Sequence, residues 1–176
     1  MSRSSREEAT MPVDDSSRRL RPAVLGLLAG SALILAPLAG YLKWHDDSAR
    51  AAETAASQSI QAATDAAIAM LSYRPETVDT VTAAAADRLA GAFRDDYRQL
   101  IEHVVAPGAK QQHISTVVHV PAAASVSATA DHAVVLLFVD QTTTIGQDPP
   151  TTTASSVRAT LDRVGARWLV SGFDPV

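Results

Sequence analysis

Acidic, aromatic and histidine side chains that could perform acid–base chemistry lie close together near the middle of the chain. Asp95, Asp96 and Tyr97 precede His103 by less than three helical turns. Asp96 and His103 fall about two turns apart on one helical face, which is too far for a direct i,i+4 pair. A general acid or base must lie within hydrogen-bond reach of its substrate proton and must have a suitable pKa. The sequence indicates neither property, so we interpret the aspartates as the solvated side of a helix and predict no catalytic residue.

Three histidines could in principle bind a metal ion. His113 and His119 are separated by six positions, which puts them on one face of a strand but about 20 Å apart, and His132 lies further along the chain. Zinc ligands usually occur as close pairs along the chain. The chain has no cysteine, so thiolate ligands and disulfides are excluded. The sequence therefore predicts surface or half-buried histidines, and neither a metal site nor a cofactor.

Two aromatic residues near the C-terminus could line a pocket for a small molecule. Strand parity places Trp168 and Phe173 on opposite faces of a sheet unless a bulge intervenes near Gly172. Trp168 alternates with Val170, and this pattern predicts a position in the core between sheet and helices. The alternative of a lipid-sized cavity is left open.

One uninterrupted apolar run precedes all of these residues. Ala23–Leu42 contains no charge, and its twenty residues would span about 30 Å as a helix, the thickness of a hydrocarbon core. Arg18, Arg19 and Arg21 flank it on one side, which favours a cytoplasmic N-terminus. We predict a transmembrane helix at residues 21–43 and an extracytoplasmic C-terminal domain.

Other features of this region leave alternatives open. Residues 49–51 have the small-x-small form of a signal cleavage site, but they lie several residues beyond the apolar run. Gly26 and Gly30, like Ala36 and Gly40, have the small-x-x-x-small spacing that lets membrane helices approach closely, so a homo-oligomer is possible. We predict a disordered cytoplasmic tail at residues 1–20, a stalk and first domain helix at 44–72, and the remainder of the exported domain at 73–176.

The exported segment changes from a helical period to a strand period. Residues 45–71 are rich in alanine and lack Pro and Gly, which predicts a helix. A second helix is predicted from one apolar stripe, ended by Ala106–Lys110; the stripe comprises Val81, Ala85, Leu89, Phe93, Tyr97, Leu100 and Val104. Period-two alternation then predicts strands at residues 114–128, as one bent strand or two short ones, and at 133–145, 155–164 and 167–176. The fold class is therefore α+β, with helices on one face of a curved antiparallel sheet.

Composition excludes one class of partner. The net charge of −4 gives no basic footprint for nucleic acid, and the aromatic content of 5% is low for stacking on single strands. We therefore predict no nucleic-acid partner.

The order of several segments resembles the Mce-associated membrane proteins of actinobacteria, accessory factors of lipid transporters. The resemblance covers residues 20–176 and rests on the segments LSYRPETVDT, LAGAFRDDYRQL, VVLLFVDQTTT and SSVRATLDRVGARWLVSGFDPV. It implies an exported domain similar to nuclear transport factor 2 (NTF2), a cone of bent sheet wrapped by helices, as in VirB8 secretion proteins. It supplies no catalytic residue.

Together, these observations predict a non-enzymatic, single-span accessory protein of the cytoplasmic membrane. Its expected role is to stabilise or organise an Mce-type lipid import complex, with Mce subunits and the membrane as partners and a lipid as a further candidate. Two alternatives differ in class: a lipid-binding or catalytic cone domain, and a VirB8-like structural subunit of a secretion system.

Overall fold

The computed structural model describes residues 50–176. The predicted tail, the predicted transmembrane helix and the small-residue pairs from Gly26 to Gly40 lie outside the described residues. Within residues 50–176, no helix has both the length and the apolarity needed to cross a membrane.

Helices precede strands along the described chain. The helical part consists of α1 at residues 50–71, α2 at Val78–Ala86, α3 at Gly91–Leu100, a π-helical segment at Ile101–Val105, and α4 at Ala106–Gln112. Four strands follow: β1 at Ile114–Ala128, β2 at His132–Ile145, β3 at Thr151–Val164 and β4 at Arg167–Pro175.

Alanine-rich α1 packs a narrow face of small side chains on the domain. Its buried residues recur at helical spacing and are Ala55, Ser59, Ala63, Ala66, Ala67 and Met70. Most of these side chains are small, so the helix backbone can approach the core closely. Ser59 is the polar residue of this buried face, and its hydroxyl donates a hydrogen bond to the Ala56 carbonyl at 3.0 Å.

The prediction of one continuous second helix was wrong. The chain leaves the helix after Ala86, and Leu89 forms a parallel bridge to Val170 of β4. Gly91 then begins α3 with a φ of +58°, a conformation that residues with a Cβ rarely adopt. The predicted stripe therefore does not lie on a single helical surface.

The C-terminal half of that stripe is consequently on the outside. Tyr97 is the buried residue of α3, whereas Leu100 is 52% exposed and Val104 is 60% exposed. The predicted stop at Ala106–Lys110 was also wrong, because the chain continues as α4. Pro107 lies in the first turn of α4, directly after the π-helical segment, and the helix ends at His113 with a φ of +51°.

The four strands form an antiparallel meander in the order β1-β2-β3-β4, which confirms the predicted sheet. β1 is a single strand, one of the two alternatives, and it carries register shifts between His119 and Ala122 and between Ser125 and Ser127. Pro121 lies at the first shift, on an edge strand, as expected for a residue that cannot donate to the ladder. β3 begins at Thr151, earlier than predicted.

The core lies between the helices and one face of the sheet. Alternate residues of the central strand β2 are buried, namely Ala133, Val135, Leu137 and Val139. They join the buried residues of α1 in one apolar cluster, together with Leu89, Tyr97, Trp168 and Val170. Helices on one face of a curved antiparallel sheet confirm the α+β fold class.

Candidate functional site

The residues considered for acid–base chemistry do not form a common site. Tyr97 is buried, and its hydroxyl donates a hydrogen bond to the Met70 carbonyl oxygen at 3.2 Å. Burial raises the pKa of Tyr97 well above its usual range, so the phenol stays protonated. Asp95, Asp96 and His103 are exposed, and no hydrogen bond or ion pair joins their side chains to another residue within 50–176. Tyr97 links α3 to the end of α1.

The three histidines lie far apart, one at the end of α4 and two on strands. His113 ends α4, where its carbonyl accepts a hydrogen bond from the Gly146 amide at 3.2 Å, and exposed His119 lies opposite Asp140. His132 begins β2, so the length of that strand, about 40 Å, separates it from the end near His113. Residues 50–176 contain no group of three side chains that could hold a metal ion.

His132 instead pairs with an aspartate. Its Nδ1 atom lies 2.8 Å from Oδ1 of Asp162, the residue opposite it on β3. This hydrogen bond, assisted by one from Ser171, lowers the pKa of Asp162. Both side chains of the pair are about half exposed, so the interaction is a surface contact that fastens the start of β2 to β3.

Trp168 and Phe173 share a face because of a bulge. The register between β3 and β4 shifts at Thr160 and Leu161, so the strand gains one residue near Gly172. Trp168, 8% exposed, and half-buried Phe173 both pack on the core cluster. Their side chains therefore help fill the space between helices and sheet, where the cavity of a cone fold would lie.

The outer face of the sheet, on the side away from the core cluster, carries an open groove of about 700 Å³. Phe138 lies at its centre and is 44% exposed. Its neighbours across the strands are Ala122 on β1 and Ser156 on β3, which are too small to cover the ring. Pro121, Ala154 and Val176 also line this outer-face groove.

The charge on the outer-face groove is low. Of the side chains that line it, that of Asp140 alone is charged. Val176 is held against the groove because its amide donates to the Ser156 carbonyl at 3.0 Å. A shallow, weakly charged surface with one aromatic side chain at its centre is suited to protein contact and offers no pair of groups for acid–base chemistry.

A second open groove, of about 520 Å³, lies among the helices. It is lined by residues of α2, α3, the π-helical segment and α4, including Tyr97 and Ile101. Lys110 crosses to Asp79 with a 2.6 Å ion pair between α4 and α2. Both partners are largely exposed, so this pair contributes little to stability.

A third groove contains residues that the sequence did not single out. Arg88, Arg163 and Arg167 line it beside Trp168. Arg88 is distant in sequence from the other two, and only the docking of β4 on the segment after α2 brings it near them. The sequence signal was an arginine on either side of the β3–β4 turn, directly before Trp168.

Two kinds of known proteins are similar to this chain. Outer membrane protein Rv1973 of Mycobacterium tuberculosis is 55% identical over 156 residues, covering 89% of this chain and 98% of that protein. An uncharacterized protein of the same organism, Rv1362c, is 42% identical over 137 residues, covering 77% of this chain and 62% of that protein. No family model matches the chain.

Solved structures share the fold at low sequence identity. An IcmL-like type IV secretion system protein of Legionella pneumophila has a TM-score of 0.58 at 9% identity, covering 68% of this chain and 91% of that one. The periplasmic domain of DotI has a TM-score of 0.57 at 16% identity, with 66% and 91% covered. VirB8 of Agrobacterium tumefaciens has a TM-score of 0.54 at 14% identity, with 66% and 88% covered. The domain therefore has the VirB8-like, NTF2-like fold predicted for it.

Proposed function

The chain belongs to the family of the mycobacterial outer membrane protein Rv1973, and we propose that it is a non-catalytic accessory protein that stabilises a multi-protein complex of the cell envelope. The complex we propose is an Mce-type lipid importer, as the sequence resemblance implies. The protein would act by binding, and an anchor at residues 21–43 would confine its search for partners to the membrane plane.

The observation that carries the proposal is the outer-face groove. The space between helices and sheet is occupied by core side chains, whereas the opposite face of the sheet exposes Phe138 among small neighbours. Aromatic side chains near the centre of a contact surface often contribute most of the binding energy. A subunit of the complex that covers Phe138 would bury this ring without having to desolvate more than one charged side chain, Asp140.

The names of similar proteins support an envelope location. The relative described above is named an outer membrane protein, and the DotI structure is that of a periplasmic domain. They also favour a second candidate function, because the IcmL-like neighbour is a type IV secretion system protein. In that case the same groove would contact a secretion subunit instead of an Mce subunit.

A single substitution in the outer-face groove tests the proposal in cells. Phe138→Ser should lower both the amount of assembled transporter and lipid uptake, because truncating a central aromatic contact typically costs about 2–4 kcal/mol of binding, roughly 30-fold or more in affinity. Leu100→Ser is the matched control, since Leu100 is similarly exposed but lies among the helices. It should leave both quantities unchanged.

The identity of co-purified subunits separates the two candidates. Recovery of Mce and permease subunits with the wild type, and their loss with Phe138→Ser, supports the importer. Recovery of secretion subunits supports the second candidate. A normal level of assembled complex in a strain that lacks the protein, combined with loss of activity from a single polar substitution such as Asp96→Asn, would contradict both and indicate chemistry or ligand capture.

A further inference from the structure

Three arginines meet at one end of the sheet, where the β3–β4 turn meets the end of α2. Arg163 and Arg167 lie on either side of that turn, and Arg88 lies just beyond α2. They line an open groove of about 590 Å³ whose other wall is α1. We call this the arginine groove.

The elements that carry these arginines are fixed to one another. The Val170 amide donates to the Arg88 carbonyl at 2.9 Å, which joins β4 to the segment after α2. The Arg167 guanidinium donates to the Asp87 carbonyl oxygen at 2.8 Å, and the Arg163 guanidinium lies 5.9 Å from the centre of the Trp168 ring, within cation–π range. The groove is therefore held in place by long-range contacts.

Two carboxylates, Asp65 and Asp87, also line the groove, and each contacts a residue other than the three arginines. Asp65 accepts a hydrogen bond from the Gln61 amide at 2.9 Å, and Asp87 pairs with Arg94, outside the lining, at 3.2 Å. Within residues 50–176, none of Arg88, Arg163 and Arg167 forms an ion pair. Three guanidinium groups without a carboxylate partner thus line one groove of a chain whose net charge is −4.

We propose that the arginine groove binds a phosphate-bearing anion. Guanidinium forks bind phosphate and carboxylate bidentately, but a terminal phosphate offers three oxygens where a carboxylate offers two, and three arginines line this groove. The phosphate could belong to a soluble phosphate ester or to a lipid headgroup. The proposal does not depend on which complex the protein joins, since the arginine groove and the outer-face groove share no residue.

Calorimetric titration of the full chain in a neutral detergent tests the site. The probes are glycerol phosphate, short-chain phosphatidic acid, which also carries a terminal phosphate, and succinate as a carboxylate comparator. Arg163→Gln should weaken binding of the phosphate probe by about tenfold or more, because a hydrogen bond to a charged group contributes about 1.5–3 kcal/mol. Arg158→Gln is the matched control: Arg158 is exposed on the same strand but does not line the groove, so binding should not change.

A further variant distinguishes loss of the binding site from loss of folding. Arg163→Lys keeps the charge but loses the fork, so its affinity should fall between those of the wild type and Arg163→Gln, while the thermal unfolding midpoint stays near that of the control variant. Tighter binding of phosphatidic acid than of glycerol phosphate assigns the lipid headgroup, and the reverse assigns a soluble ester. The proposal is wrong if neither phosphate probe binds, if succinate binds equally well, or if the Arg163 and Arg158 variants weaken binding equally.

Discussion

At the residue scale, Tyr97 has a structural role where the sequence offered it as part of a possible catalytic cluster. Its ring is buried in the core cluster and its hydroxyl donates to the Met70 carbonyl, so one side chain joins α3 to the end of α1. Its neighbours Asp95 and Asp96 point to solvent. The buried hydroxyl already has a hydrogen-bond acceptor, so its burial is not penalised and its proton is not available to a substrate.

Removing that hydroxyl should change both stability and its dependence on pH. Tyr97→Phe should lower the free energy of unfolding at neutral pH by about 1 kcal/mol, the net contribution of a typical hydrogen bond. Because the folded-state pKa of Tyr97 is raised, the stability contributed by the protonated phenol is full below the unfolded pKa of about 10 and is lost as the pH rises through the folded pKa. Phenylalanine does not ionise, so the variant does not lose stability in this way. The difference in unfolding free energy between the wild type and the variant should therefore shrink above about pH 10.

Urea unfolding of the purified protein at neutral and alkaline pH measures this difference. A deficit that stays constant, or grows, at alkaline pH would show that Tyr97 is not protected from ionisation in the folded state.

Some residue positions could be predicted from the sequence, and others depended on contacts distant in the chain. The burial of Trp168 and Val170 followed from strand alternation. Phe173 lies on the same face as Trp168 only because of the bulge near Gly172. The sequence pattern showed that such a bulge would be needed, but it did not predict that one is present. The arginine groove depends on the docking of β4 against Arg88, a pairing that no local pattern encodes.

At the element scale, the break between α2 and α3 decides which helical residues reach the core. The spacing of the apolar positions predicted one continuous helix. It could not reveal the break, because the bridge from Leu89 to Val170 joins residues that are distant in the chain. Gly91 allows the break by adopting a positive φ. The strands were predicted better because their period of two and their turns are local signals.

Replacing Gly91 tests the role of its backbone conformation. Gly91→Ala should destabilise the domain by about 1–2 kcal/mol from the strain of a positive φ alone, since the new methyl group would meet no atom within 4 Å. Gly108→Ala is the matched control in α4, where the added methyl also meets open space and φ is not positive. That control should be neutral or stabilising by up to about 1 kcal/mol. Equal unfolding midpoints for the two variants would contradict the account.

At the scale of the whole molecule, the two faces of the sheet differ in what they offer. The inner face is covered by helices and filled with apolar side chains, as in a structural core. The outer face exposes Phe138 in a groove of small residues with little charge. This asymmetry is the reason for proposing that the protein acts by binding, with the outer face as its proposed contact surface.

Site-specific photo-crosslinking in living cells tests this claim most directly. A photoreactive phenylalanine derivative is placed at position 138, and in a second strain at position 100, which is similarly exposed on the helical side. Crosslinked partners are then identified by mass spectrometry. The account predicts that position 138 crosslinks to a subunit of a multi-protein envelope complex and that position 100 does not. No protein crosslink from position 138, a crosslink only to a second copy of this chain, or equal crosslinking from both positions would contradict it.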